Sequence, residues 1–206
     1  EKNLVIFKWQ ATTAFLTGVF LLVIIYYKNA QFLIIDPRVN SNVTPMIGII
    51  ASIVSIGMSW FFYHLISKSK LRNNKMIFVT IMFLFSIVVT YILAQIFSQR
   101  FLFFSVGLTL SVIMFFNVWF LIIPNQKSMV SAALNKTDFD LNLSLESKRR
   151  SLDNNLLTPT VLVSMLYGHM GTITNSKYSL FILFAFAIIS GFARHFINLR
   201  NQKNSN

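Results

Sequence analysis

Residues 76–97 read MIFVTIMFLFSIVVTYILAQIF, and these 22 consecutive residues carry no charged side chain. Because an α-helix rises about 1.5 Å per residue, roughly 20 apolar residues are needed to cross the hydrocarbon core of a membrane. This stretch is therefore long enough to cross a membrane as a single helix.

Five further stretches approach the same length. The weakest is 153–170, which reaches span length only if its helix begins near Asp153, a residue type that caps helix N-termini. We predict an all-α fold in a single domain, 1–206: a polytopic integral membrane helical bundle with about six transmembrane spans. The predicted spans are 9–27, 45–67, 76–97, 101–123, 153–170 and 178–198.

The composition agrees with a membrane protein. The chain of 206 residues is 55% hydrophobic and 12% charged, whereas soluble domains carry about 25% charged residues. A soluble enzyme and a disordered tail are excluded on this basis, and a disulfide scaffold is excluded because the chain has no Cys. The lack of Cys also excludes thiolate nucleophiles, iron–sulfur clusters, Cys-ligated zinc and c-type haem attachment within this chain. We predict no metal site.

The basic residues predict the orientation. Six spans place 14 of the 18 Lys and Arg residues on one side, and the positive-inside rule makes that side cytoplasmic. We expect both chain ends in the cytoplasm, with 124–152 as an interfacial loop whose 148–150 basic run lies on the headgroups. The net charge of +12 then reflects a lipid bilayer as partner and not a nucleic acid.

Three spans carry small or ionisable residues that lipid does not require. In the span 45–67, small residues recur on one helix face, which favours close helix packing: Gly48, Ser52, Ser55 and Ser59. His64 lies off that face. We interpret it as an interfacial side chain, with a ligand or catalytic role as the alternative.

The segment 153–170 carries a polar stripe. Asn154, Thr158 and His169 share one helix face with Val161 and Met165, within about 80° of arc. Two interpretations stay open: hydrogen bonding between helices, or a pocket between helices for a polar ligand or a haem.

The last span also carries an imidazole. Ala187, Gly191 and His195 share a packing face, with Arg194 beside it. We interpret Arg194 as an anchor at the cytoplasmic end and His195 as bonded to a neighbouring helix; a buried functional imidazole is the alternative.

Several short motifs occur in order along the chain and resemble one known family, the membrane domain of bacterial membrane-bound urate hydroxylases, or urate oxidase N-terminal family. The resemblance covers nearly all of the chain. The motifs are FKW at 7–9, IIDPRV at 34–39, QIFS at 95–98, NVWF at 117–120, IPNQK at 123–127, RSLDNNLLT at 150–158 and RHFIN at 194–198.

The resemblance implies an oxidoreductase of purine catabolism in the bacterial inner membrane, with the mitochondrial inner membrane less favoured. It implies oxidation of urate to 5-hydroxyisourate, with electron transfer to a c-type cytochrome whose haem is on a separate domain or protein. It also implies a further span upstream of residue 1. The site residues that it implies are Asn154, Asn155, Thr158, His169, Arg194 and His195, with Asn117 and Gln126 as weaker candidates.

The chain departs from the family pattern at Asp153 and Gly168, where the family shows His and Asn. Haem b stays open, with His169 and His195 as its candidate ligands. The alternative to a urate-oxidising domain is a non-catalytic membrane subunit of a larger respiratory or electron-transfer complex, packed against other membrane subunits.

Overall fold

The computed structural model describes residues 2–167 and 178–204, without the side chains of 2–4, 195, 198, 199 and 201–204. The described part is all-helical, as predicted, and its β-pairing is limited to one isolated bridge between Ile35 and Phe97. The α-helices are α1 Lys2–Leu21, α2 Ala30–Leu33, α3 Pro45–Lys68, α4 Lys75–Leu93, α5 Gln99–Asn117, α6 Ile123–Asn135, α7 Leu141–Tyr167 and α8 Ser179–Asn204.

Three other helical segments connect these helices. A π-helix at Leu22–Tyr27 continues α1, and a second one at Val118–Ile122 joins α5 to α6. A 3₁₀ turn at Lys70–Asn73 separates α3 from α4. The π-helices matter because such segments often occur where a functional side chain has to be redirected.

Four helices in the described part are long and apolar enough to cross a membrane. They are Val5–Tyr27, Pro45–Lys68, Lys75–Leu93 and Gln99–Asn135. They overlap the first four predicted spans and are compatible with a membrane location. The apolar part of α8, Ser179–Arg194, is shorter, and the predicted span 153–170 runs into residues outside the described part. The count of six spans stays a prediction.

The third predicted span, 76–97, ends earlier than expected. Helix α4 stops at Leu93, and the chain turns before Phe97 reaches its bridge with Ile35. Ser98 then donates from its backbone N–H to the Ile34 carbonyl (2.7 Å) and from its hydroxyl to the Leu33 carbonyl (2.8 Å). These contacts between distant segments replace the last helical turn, and sequence periodicity does not reveal them.

The prediction that a helix starts at Asp153 is wrong. Helix α7 begins at Leu141, and the Asp140 carboxylate accepts from the Asn142 backbone N–H at 2.9 Å, the contact that an N-cap makes. Asp153 therefore lies inside α7. Most of the segment predicted as an interfacial loop, 124–152, is helical, because α6 and α7 occupy it.

The chain divides into two compact units. The terminal unit comprises Glu1–Phe20, Met114–Thr160 and Phe184–Asn206, and the central unit comprises Leu21–Ile113 and Val161–Leu183.

In the central unit, the small-residue face of α3 is buried as the sequence predicts, including Gly48 and Ser52. A Cβ at Gly48 would lie 2.9 Å from a methyl carbon of both Ile34 and Ile35. The Ser52 hydroxyl lies 3.3 Å from the Tyr27 hydroxyl. The small side chains therefore allow the 30–35 segment to pack against α3.

In the terminal unit, the N-terminal part of α1 packs on the π-helix at Val118–Ile122. The Trp119 indole N–H donates to the Thr12 hydroxyl at 2.8 Å, and the Lys8 ammonium lies 4.2 Å from the Trp119 ring centroid. The rings of Phe15 and Phe115 stack at 3.9 Å. These contacts hold the segment that follows Asn117.

Candidate functional site

The terminal unit contains a chain of hydrogen bonds between α5 and α7, called here the amide–arginine cluster: Asn117, Arg150 and Asn154. Arg150 Nη1 donates to Asn117 Oδ1 at 3.4 Å, and Asn117 Nδ2 donates to Asn154 Oδ1 at 2.9 Å. Asn154 Nδ2 donates to the Met114 carbonyl at 3.0 Å. Each amide both donates and accepts, which fixes its orientation.

The cluster is well shielded from the surroundings. Asn117 is 1% exposed and Arg150 is 2% exposed, while Asn154 is partly buried. A buried guanidinium is costly unless hydrogen bonds and counter-charges compensate it. The hydrogen bond to Asn117 and the nearby Glu146 carboxylate supply part of this compensation.

Two further polar groups accompany Arg150 on α7. Glu146 Oε1 lies 3.8 Å from Arg150 Nη2, and the Glu146 side chain is 34% exposed. The Ser147 hydroxyl is buried, and it has no hydrogen-bond partner within the described part of the chain. Ser147, Arg150 and Asn154 are spaced i, i+3 and i+7, so they share one face of the helix.

A second polar contact in the terminal unit joins α7 to α8. Arg194 Nε donates to Asn155 Oδ1 in a short hydrogen bond, and the hydroxyls of Thr160 and Ser190 lie 3.1 Å apart. Two predicted site residues, Asn155 and Arg194, are therefore brought together across 39 positions of sequence.

The predicted stripe on α7 is only partly correct. Asn154 lies in the cluster, but Thr158 is exposed and its hydroxyl donates to the Asn154 carbonyl of its own helix at 2.8 Å. The buried polar residues of α7 are instead Ser147, Arg150, Thr160 and Ser164.

Other predicted site residues fall elsewhere. Gln126, a weaker candidate, is exposed on α6 and outside the cluster, whereas Asn117, the other weaker candidate, is at its centre. His169 lies outside the described residues, as does the side chain of His195. The roles predicted for these two histidines stay predictions.

Sequence reasoning missed Arg150, which was assigned with its neighbours 148–149 to the headgroup region. The structure corrects this assignment: Lys148 and Arg149 are exposed, and Arg150 is buried. The available signal was the spacing of four between Arg150 and Asn154. This spacing is informative only if one helix contains both residues, and a helix that starts at Asp153 does not include Arg150.

The side chains of both candidate ligands of haem b, His169 and His195, lie outside the described part, so haem b stays a prediction. Within 2–167 and 178–204, no three His, Asp or Glu residues group to hold a metal. His64 is the imidazole whose side chain is described; it is half-buried, with its ring centroid 5.5 Å from that of Trp60.

An open groove of about 620 Å³ runs along α1. Its lining is mostly apolar and includes Trp9, Gln10, Thr13 and Thr17. It contains no titratable side chain, so it offers no group for acid–base chemistry.

The connector after α2, in the central unit, carries an ion pair within the IIDPRV motif. The Arg38 guanidinium donates to both carboxylate oxygens of Asp36, with Nη2 at 2.8 Å and Nε at 3.0 Å from the nearer oxygens. These hydrogen bonds hold the pKa of Asp36 below its ordinary value. Arg38 is exposed, so the pair orders the connector and adds little stability.

Comparison with known proteins identifies one family for this chain. No curated protein and no solved structure matches it. A family model described as "Urate oxidase N-terminal" matches residues 1–206, which is the family indicated by the sequence motifs. The chain therefore belongs to the urate oxidase N-terminal family.

Proposed function

We propose that this chain is the membrane-embedded domain of an enzyme that oxidises urate, and that it does so in the bacterial inner membrane with both of its ends in the cytoplasm. The observation that carries the proposal is the family match over residues 1–206. The four membrane-length apolar helices support the location.

The reaction is the hydroxylation of urate with water as the oxygen source. Urate and one water molecule give 5-hydroxyisourate, two protons and two electrons. The electrons pass to a c-type cytochrome and not to a flavin. The haem of this cytochrome is on a separate domain or protein, because this chain has no Cys to attach it.

The amide–arginine cluster supports urate binding in the terminal unit. Carboxamides and a guanidinium offer donors and acceptors in a plane, and urate presents carbonyl and N–H groups along its edges. Burial of Asn117 and Arg150 strengthens such hydrogen bonds by excluding water. The contact of Arg194 with Asn155 holds a second amide next to Asn154.

The test measures urate loss and cytochrome c reduction in membranes that contain the full gene product. Wild-type membranes should show both on addition of urate. Asn154→Ala removes a hydrogen-bonding partner from Asn117 and should lower the rate by about tenfold or more. Ser151→Ala, at an exposed position on the same helix, should leave the rate unchanged.

The alternative function is a non-catalytic membrane subunit of a larger electron-transfer complex. It is motivated by Asp153 in place of the family histidine. Folded wild-type protein that neither consumes urate nor reduces cytochrome c would overturn the enzymatic proposal and favour the subunit.

A further inference from the structure

Arg150 places a positive charge in the interior of the amide–arginine cluster. A guanidinium that is 2% exposed does not act as the headgroup anchor that its basic neighbours suggest. Two exposed basic residues, Lys148 and Arg149, precede it on the same helix and are placed where headgroups can contact them.

The contact between Arg150 and its neighbouring carboxylate is loose. Glu146 Oε1 lies 3.8 Å from Arg150 Nη2, whereas a charge-assisted hydrogen bond is about 2.7–2.9 Å long. Glu146 is also 34% exposed, so its carboxylate can turn outward at small cost. An incoming anion can therefore take its place beside the guanidinium.

The neutral groups around Arg150 are suited to a flat ligand with several polar edges. Asn117 and Asn154 are held in one orientation by their mutual hydrogen bond at 2.9 Å. Ser147 is 7% exposed, and its buried hydroxyl makes no hydrogen bond within the described residues. It lies on the same helix face and supplies one more donor or acceptor.

From this arrangement we infer that Arg150 is the residue that recognises the negative charge of the substrate. Its ligand class is an oxopurine monoanion, the form that urate takes at neutral pH. Asn117 and Asn154 form hydrogen bonds with the polar edges of the ring, and the ligand displaces the Glu146 carboxylate from Arg150. This inference rests on the proposed function, because it concerns substrate selection at the same site.

The first test compares the binding of radiolabelled urate with that of hypoxanthine, which is uncharged at neutral pH. Both are measured by equilibrium binding to purified full gene product. Arg150→Gln should weaken urate binding by roughly 10- to 100-fold, the loss expected for a charge-assisted hydrogen bond, with hypoxanthine binding and the melting temperature unchanged. Arg150→Lys keeps the charge but loses the planar pair of N–H donors that a guanidinium presents. It should weaken urate binding by a smaller factor.

The control is Arg149→Gln, which removes the same charge from the neighbouring exposed position and should bind urate as the wild type does. A second arm, Asn117→Asp, places a carboxylate 3.4 Å from Arg150 Nη1 in a side chain of nearly the same shape. Because this carboxylate competes for the guanidinium, it should weaken urate binding by a larger factor than it weakens hypoxanthine binding. The second arm keeps the test decisive if Arg150→Gln does not fold.

The outcomes separate the two proposals. Equal urate affinity of wild type and folded Arg150→Gln, or of wild type and Asn117→Asp, overturns the role of Arg150 and leaves urate oxidation standing. Arg150-dependent urate binding without turnover supports the recognition role and overturns the oxidation. Wild type that does not bind urate overturns both.

Discussion

Individual glycines decide how closely helices approach in the central unit. A Cβ at Gly107 would meet the side chains of Ser164 and Met165, the latter at 2.8 Å, and the Val161 carbonyl oxygen at 3.3 Å. The backbone oxygen cannot turn aside as a flexible side chain can. A Cβ at Gly57, on α3, would have no neighbour within 4 Å.

Gly107→Ala should therefore destabilise the protein by about 1–3 kcal/mol through overpacking. Gly57→Ala adds the same methyl group without a clash, and it should be neutral or stabilising by up to about 1 kcal/mol because Ala favours helix. Thermal unfolding of the purified protein measures both. Equal melting temperatures for the two variants would contradict the close contact at Gly107.

The stabilisation that the Asp36–Arg38 ion pair provides should depend on pH. The hydrogen bonds from Arg38 lower the pKa of Asp36, so the stabilisation by this pair is fully present above the ordinary Asp pKa. It is lost as pH falls through the lowered pKa. Arg38→Gln should therefore raise the Asp36 pKa, as measured by NMR titration of labelled Asp carboxyls.

The control for this titration is Lys28→Gln, which removes a charge from an exposed position in the same unit. It should leave the Asp36 pKa unchanged. An Asp36 pKa that does not move in Arg38→Gln would show that the pair does not form in solution.

At the scale of the element, α7 matters most because it carries the site. It begins at Leu141 and passes through Pro159 without ending. Proline has no N–H to donate to the residue four positions earlier, Asn155. Because α7 begins at Leu141, Arg150 and Asn154 lie in one helix, four positions apart.

Asp140→Ala removes the N-cap of α7 and should cost about 1 kcal/mol. The first turn should then exchange its amide hydrogens faster, as hydrogen exchange with mass spectrometry over residues 141–147 would measure. Asp138→Ala, two positions earlier and exposed, is the matched control. Unchanged exchange in Asp140→Ala would place the start of the helix elsewhere.

At the scale of the whole molecule, the distribution of Lys and Arg predicts how the chain crosses the membrane. The chain contains no Cys, so single cysteines can be introduced for labelling without a background. Cysteines in place of Lys70 and Arg149 should react with a membrane-impermeant maleimide only from the cytoplasmic side. A cysteine in place of Asn42 should react only from the opposite side.

All three positions are exposed, so unequal labelling reports sidedness and not burial. The control is labelling of each variant in detergent, where all three should react. Labelling of Lys70→Cys and Arg149→Cys from opposite sides would refute the predicted topology.

Part of the candidate site was predictable from the sequence. The family resemblance added Asn155 and Arg194, whereas Asn154 stood out because polar groups are costly in apolar helices. The structure places all three in hydrogen bonds between helices. Thr158 was predicted on the same basis, but it bonds only within its own helix. Spacing shows which residues share a face, whereas the direction of that face depends on what packs against it.

The sequence by itself determined the helical fold, the four membrane-length helices and the family, because apolar run length and short motifs are local properties of the chain. Only the tertiary structure decided that Arg150 is buried beside Asn117, 33 positions away. The physical reason is that a charged residue in a basic run is solvated or buried according to where its helix begins and how that helix is rotated. Contacts with distant residues set both.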